Sequence, residues 1–249
     1  MADRIMAHCV AFYPDKERSF DVARALVDGG AAFIEVQFPF SDPTADGPVI
    51  QRACSQALER GFTMEEGFRL LRRIRGISKV PIFVMGYANL AFRPGIETFV
   101  RRCRDAGADG IIVPDMPVDS DEGLYPLGRK NGLDVIPVAA PTISDARIGL
   151  IKGVKPNYLY AALRSGITGN ITTIGDDNLA FLARLEPTGA KILAGFGIQE
   201  RAQVKALAPH VHASIVGSAL IAATSAAEDS PYTAVRKKLE SLVAEPPAS

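Results

Sequence analysis

The chain has 249 residues, within the range of a single α/β barrel, and its 47% hydrophobic content is ample for a core of that size. Twenty-eight basic side chains balance twenty-eight acidic ones with no basic block, which argues against a nucleic-acid partner. Cys9, Cys54 and Cys103 are too few and too widely spaced for a disulfide framework or a zinc site, so no metal is expected. No apolar run approaches the roughly 20 residues that span a bilayer, and the first residues turn polar too soon for a signal peptide. The expectation is a cytoplasmic protein with no membrane contact.

In chain order, short β-branched runs predict strands over residues 6–12, 33–37, 81–85, 110–113, 134–138, 158–161, 191–194 and 213–216. Between them, 3.6-residue spacing predicts helices such as 20–28, 49–59, 64–75, 96–106 and 202–207. Thr63 and Glu66 form a capping-box signature at the head of one of these. A short helix over 217–223 and a last one over 232–243 follow, with a frayed tail from about residue 244. The motif D-x-G-A-x-x-I-x-V occurs at 28–36 and again at 105–113, as a helix stopped by glycine and followed at once by a strand. No linker divides the chain, so residues 1–249 read as one domain. Eight strands with helical crossovers predict an α/β fold, a single (β/α)8 TIM barrel.

The most informative stretch is FIEVQFPFSDPTADGP, residues 33–48. Alternation puts Ile34, Val36 and Phe38 on one face, and Phe33, Glu35 and Gln37 on the other. If the apolar face packs on helices, Glu35 points into the barrel, where a carboxyl group can deliver as well as accept a proton near neutrality. Its alternatives are a buried carboxylate paired with an arginine and a strand-end residue reaching water. Asp42 and Asp46 follow on a stiff loop, where turn or capping work competes with catalysis and only geometry separates the two. Glycine-bearing loops follow the sixth, seventh and eighth strands: RSGITGN, GFG at 195–197, and VGSAL at 216–220, with Ser218 at a helix start. At the C-terminal rim of a barrel, such loops form a phosphate corner from backbone N–H groups.

The string PFSDPTADGPVIQ at 39–51 closely resembles the signature of the tryptophan synthase alpha subunit family. The resemblance continues in order through GYANL (86–90), VPDMPVDS (113–120), APT (140–142), RSGITG (164–169), GFGI (195–198) and GSAL (217–220). It implies a lyase of tryptophan biosynthesis that cleaves indole-3-glycerol phosphate to indole and glyceraldehyde 3-phosphate by a retro-aldol reaction, with no cofactor on this chain. Glu35 would match the carboxylate that protonates the indole ring carbon C3, and Asp46 the one that takes up the ring N–H. Thr168 would match the threonine of a loop that closes over the site. Gly169, Gly197, Gly217 and Ser218 would cradle the phosphate. Tyr87, Ile112, Tyr160 and Phe196 would line the indole pocket, with ordinary barrel packing as the alternative for each. The resemblance further implies an allosteric alpha2beta2-type complex with a pyridoxal-phosphate beta subunit, contacted through loops 42–47 and 114–120. The family pattern includes a helix ahead of the first strand, where this chain has almost nothing. It has an aromatic residue where His8 stands and a glycine where Gln37 stands. These departures keep open a catalytically weak subunit that mainly activates its partner, a stand-alone indole-releasing lyase, and a barrel enzyme acting on another sugar phosphate.

Overall fold

The computed structural model describes residues 3–163, 174–227 and 230–243. The chain runs β1 (Ile5–Val10), α1 (Arg18–Asp28), β2 (Phe33–Gln37), α2 (Pro48–Glu59), α3 (Met64–Ile77), β3 (Ile82–Met85), α4 (Ala88–Phe92), α5 (Ile96–Asp105) and β4 (Gly110–Ile112). It continues through α6 (Leu124–Lys130), β5 (Asp134–Val135), β6 (Val138–Ala139), α7 (Asp145–Val154), β7 (Tyr158–Ala162), α8 (Asp176–Leu185) and β8 (Lys191–Gly195). It ends with α9 (Arg201–Leu207), β9 (Ala213–Val216), α10 (Ser218–Ser225) and α11 (Pro231–Glu240).

All strand pairs are parallel, in the order β5-β4-β3-β2-β1-β9-β8-β7-β6. The two ends of this order, β5 and β6, are separated in the chain only by Ile136 and Pro137. They are two halves of one stave, split because Pro137 has no N–H to give to a ladder. The Ile136 N–H still bonds to Ile111 O at 2.9 Å, and the Pro137 carbonyl still accepts from the Tyr160 N–H at 2.9 Å. Eight staves therefore close into a (β/α)8 barrel, and the fifth bridges its neighbours with one half on each side.

Alternation along the strands sorts side chains into two cores. Ile34, Val36 and Phe38 face the helices, where the Phe38 ring meets Phe68 edge-on at 5.3 Å. Met6, Phe33, Phe83, Met85, Ile112 and Leu193 fill the inside. Phe33 stacks on Phe83 at 5.5 Å, and Tyr158 packs against both, giving the barrel an aromatic floor below Glu35.

The repeated motif folds alike in both copies. Gly30 and Gly107 take φ of +84° and +89°, the left-handed turn that ends α1 and α5. The next residue reaches back in each case, Ala31 N–H to Leu26 O at 3.1 Å and Ala108 N–H to Cys103 O at 3.0 Å. Thr63 caps α3, its hydroxyl accepting from the Glu66 N–H at 3.3 Å.

At Gly195, where β8 ends under the rim, an added Cβ would lie 2.6 Å from Ile215 Cβ. Overpacking of this kind costs about 1–3 kcal/mol. Gly195→Ala is accordingly expected to lower the melting temperature by roughly 2–12 °C in a thermal scan, at about 2–4 °C per kcal/mol for a chain of this size.

Candidate active site

Glu35 is buried in the barrel because it shares the inner face of β2 with Phe33 and Gln37. The parallel register sets it directly beside His8 of β1. The His8 Nδ1 lies 3.4 Å from Glu35 Oε2, near enough for attraction between charges but not aligned as a hydrogen bond. Burial by itself would lower the His8 pKa. The adjacent Glu35 carboxylate, with Asp46 adding to it, outweighs burial and raises it.

Beyond β2 the chain leaves the barrel in a tight loop. The Thr44 N–H bonds to Asp42 O at 2.9 Å and the Asp46 N–H to Pro43 O at 3.0 Å. Gly47 caps α2 and Pro48 occupies its first position, where a missing N–H costs nothing. The loop separates its two aspartates. Asp42 is exposed and accepts from the Ser41 hydroxyl at 2.7 Å, which is turn chemistry. Asp46 is buried against the cavity, and its Oδ2 accepts from the Tyr87 hydroxyl at 2.8 Å and from Gln37 Nε2 at 2.7 Å. Gln51 Nε2 holds the Asp46 backbone carbonyl at 2.9 Å. Burial pushes the Asp46 pKa up, and the Glu35 charge adds to it, outweighing the opposing pull of His8, Tyr87 and Gln37.

Glu35 and Asp46 look into one cavity at the C-terminal end of the barrel. Ile112, Tyr160 and Phe196 are among its walls. Tyr87 is not. Its ring stacks on Phe40 at 5.3 Å, its hydroxyl accepts from the Ala45 N–H at 3.1 Å, and it stands behind Asp46 as a support. Met85, Val138 and Ile215 supply further apolar wall. Tyr160 meets Phe196 edge-on at 6.3 Å. Burial, then Glu35 and Asp46, hold the Tyr160 hydroxyl proton on well beyond the ordinary tyrosine range.

Gly197, Gly217 and Ser218 line the same cavity. Phe196 and Gly197 both have positive φ, +96° and +77°. In a bulky aromatic residue this is a strained backbone of the kind held at functional sites. A buckle fixes the loop: Gln203 Nε2 donates to Gly197 O at 2.9 Å, while its Oε1 accepts from the Gln199 and Glu200 N–H groups at 2.7 and 2.8 Å. Ser218 begins α10, so the helix's first N–H groups lie beside the cavity unpaired within the helix. Among the described residues no lysine or arginine lines the cavity, and no cluster of side chains suits a metal ion. Thr168 and Gly169 lie outside the described residues.

The arrangement places two buried carboxylates, apolar side chains and a helix N-terminus on the lining of one cavity. Comparison with known proteins points the same way. The family model for the tryptophan synthase alpha chain matches residues 3–245. The tryptophan synthase alpha chain of Helicobacter hepaticus is 39% identical over 222 residues, covering 86% of this chain and 83% of the relative. That of Methanosarcina barkeri is 36% identical over 244 residues, covering 97% and 89%. Among solved structures, the alpha chain in the tryptophan synthase a2b2 complex of Pyrococcus furiosus superposes with a TM-score of 0.88 at 30% identity, covering 97% of this chain and 98% of that one. A chain of Mycobacterium tuberculosis tryptophan synthase gives 0.88 at 29% identity, covering 96% and 90%. With the match running through both the carboxylate loop and the glycine loops, this chain belongs to the tryptophan synthase alpha chain family.

Proposed function

We propose that this chain cleaves indole-3-glycerol phosphate to indole and D-glyceraldehyde 3-phosphate, with Glu35 and Asp46 as its catalytic residues. The observation that carries the assignment of roles is the placement of both carboxylates on the wall of one apolar cavity that Gly197, Gly217 and the Ser218 helix start also line. A flat ring fits between Ile112, Tyr160 and Phe196, and a phosphate fits at Gly197, Gly217 and the Ser218 helix start.

The carbon–carbon bond between ring and side chain breaks only after the ring carbon C3 has been protonated. Glu35 delivers that proton, and Asp46 stabilises the positive charge that appears at the ring N–H. Glu35, now a carboxylate, takes the proton of the adjacent side-chain hydroxyl. The O–H electrons form the aldehyde C=O, and the electrons of the breaking bond return to the ring as indole. Every step is a proton transfer or an electrostatic stabilisation within reach of side chains on this chain, so the mechanism calls on no cofactor here. Two carboxylates serve different roles because their surroundings differ: Glu35 beside an imidazole, and Asp46 under a tyrosine hydroxyl and a glutamine amide.

The Pyrococcus furiosus relative is an a2b2 complex, and this chain is proposed to dock on a pyridoxal-phosphate beta subunit in the same manner. The rim loops 42–47 and 114–120 form the contact, in the cytoplasm where the pathway runs. Among the described residues no helix is long and apolar enough to cross a membrane. The test is indole release by the purified chain, alone and with a beta subunit. Release that rises by about tenfold or more on adding the partner is the expected outcome for an allosteric coupling of typical size. Equal and fast release in both conditions would identify a stand-alone lyase, and beta activation without release would identify a binding subunit.

A further inference from the structure

We propose that His8 and Glu35 act as one proton-sharing pair, in which the imidazole Nδ1 supplies the proton that Glu35 delivers to the substrate ring and recovers it afterwards. The proposal rests on the reaction proposed above and adds a residue to it.

Three observations place the pair. First, the β1–β2 register makes His8 and Glu35 direct neighbours on the inner face, and both line the cavity. Second, the two side chains are only 5% and 3% exposed, with Nδ1 3.4 Å from Oε2. A buried carboxylate without a counter-charge is costly, and His8 is the only cation-forming side chain among the described residues that lines the cavity. Third, the other imidazole nitrogen, Nε2, is buried with no hydrogen-bond partner among the described residues. The Cδ2 edge of the ring packs toward Gly217.

The titratable groups around His8 act in one direction. Glu35 on β2 and Asp46 on the following loop both favour the imidazolium, and Tyr160 on β7 keeps its proton. From β9 and α10 the cavity receives Ile215, Gly217 and Ser218, none of them charged. These surroundings favour the charged imidazole beside Glu35.

The cycle then balances. Once the imidazole turns so that the 3.4 Å Nδ1–Oε2 contact aligns as a hydrogen bond, a proton passes from Nδ1 to Glu35, leaving a neutral imidazole, and from Glu35 to ring carbon C3. Asp46 offsets the charge that appears at the ring nitrogen. Glu35 takes the hydroxyl proton as the carbon–carbon bond breaks, then passes it back to Nδ1, which restores the starting state. His8 acts through Glu35 and is in that sense a positioning residue with a proton to lend.

The test compares the pH dependence of indole release, in the presence of a beta subunit, for the wild type, His8→Gln and His8→Phe. The glutamine keeps an N–H donor for Glu35 but has no proton to exchange; the phenylalanine keeps ring volume alone. Both variants are expected to lose about tenfold or more in kcat at about pH 8, the lower end of the range for general acid–base catalysis, with KM nearly unchanged. Their alkaline limb should shift to lower pH. A His8→Gln enzyme with wild-type kcat and an unmoved limb would overturn the proposal, because holding Glu35 in place would then suffice. A second readout needs no variant at His8: imidazole nitrogen NMR titration of the wild type against Glu35→Gln. His8 should lose its proton at lower pH in the variant, and identical titrations would overturn the pair. Failure of the underlying reading looks different. No indole from the wild type, or undiminished release by Glu35→Gln and Asp46→Asn, would remove the lyase assignment itself, and the pair with it.

Discussion

Glu35→Gln is expected to lower kcat for indole release by about 10²–10⁴, the range for removal of a general acid–base group. KM should change little, because the substitution removes a proton-transfer group and leaves the rest of the cavity lining as it is. Glutamine matches the shape of the carboxyl group, so the inner face of β2 keeps its packing on the Phe33 and Phe83 floor. Steady-state kinetics with the folded variant checks this. A loss that appears in KM alone would place Glu35 in binding and not in proton transfer.

The second large effect separates activity from stability. Asp46→Asn is expected to lose about 10²-fold or more in kcat, since a neutral amide does not stabilise charge at the ring nitrogen as a carboxylate does. The same substitution should raise the melting temperature at neutral pH. The folded-state pKa of Asp46 is raised, so its contribution to stability is complete below the unfolded value and is lost as pH rises through the folded value. Asparagine removes the desolvation penalty that burial sets on the carboxylate. An asparagine oxygen placed at the Oδ2 position still accepts from Tyr87 and Gln37, so the loop remains anchored. Each kcal/mol relieved is worth about 2–4 °C in a chain of this size. The gain should shrink as pH falls, because protonated aspartic acid and asparagine are then nearly equivalent. His8 works in the same sense, its raised pKa giving stability that is complete below the ordinary histidine range and lost as pH climbs through the folded value.

Much of this site can be read from the chain before any coordinates. Period-two alternation in FIEVQF correctly turns Glu35 inward and Ile34, Val36 and Phe38 toward the helices, because both patterns are local. Staves 33–37 and 213–216 coincide with β2 and β9 for the same reason. The fifth stave, expected unbroken over 134–138, divides at Pro137, a residue whose effect on a ladder was available from the sequence. Side-chain partners were not. Tyr87 follows β3 on a loop, where no periodicity reports direction, and its role beneath Asp46 depends on how two loops meet. That His8 and Gln37 face inward follows from alternation. That one sits 3.4 Å from Glu35 and the other donates to Asp46 depends on strand register and the return path of the loop. The Gln203 buckle joins loop and helix across a few residues of ordinary polar sequence, with nothing to mark it out. Helices α6 and α7 carry no clear period in the sequence because glycine and proline dilute it: Pro126 and Gly128 in one, Gly149 and Gly153 in the other.

The central claim is that two inward carboxylates of this barrel break a carbon–carbon bond by protonating a ring carbon. The most direct measurement is the reaction of indole-3-glycerol phosphate with the wild-type chain and a beta subunit in heavy water, with the products read by NMR. The account predicts indole carrying deuterium at C3 in equal yield with glyceraldehyde 3-phosphate, and almost none of either from Glu35→Gln or Asp46→Asn. Absence of indole from the wild type, or wild-type yields and rates from both variants, would contradict it.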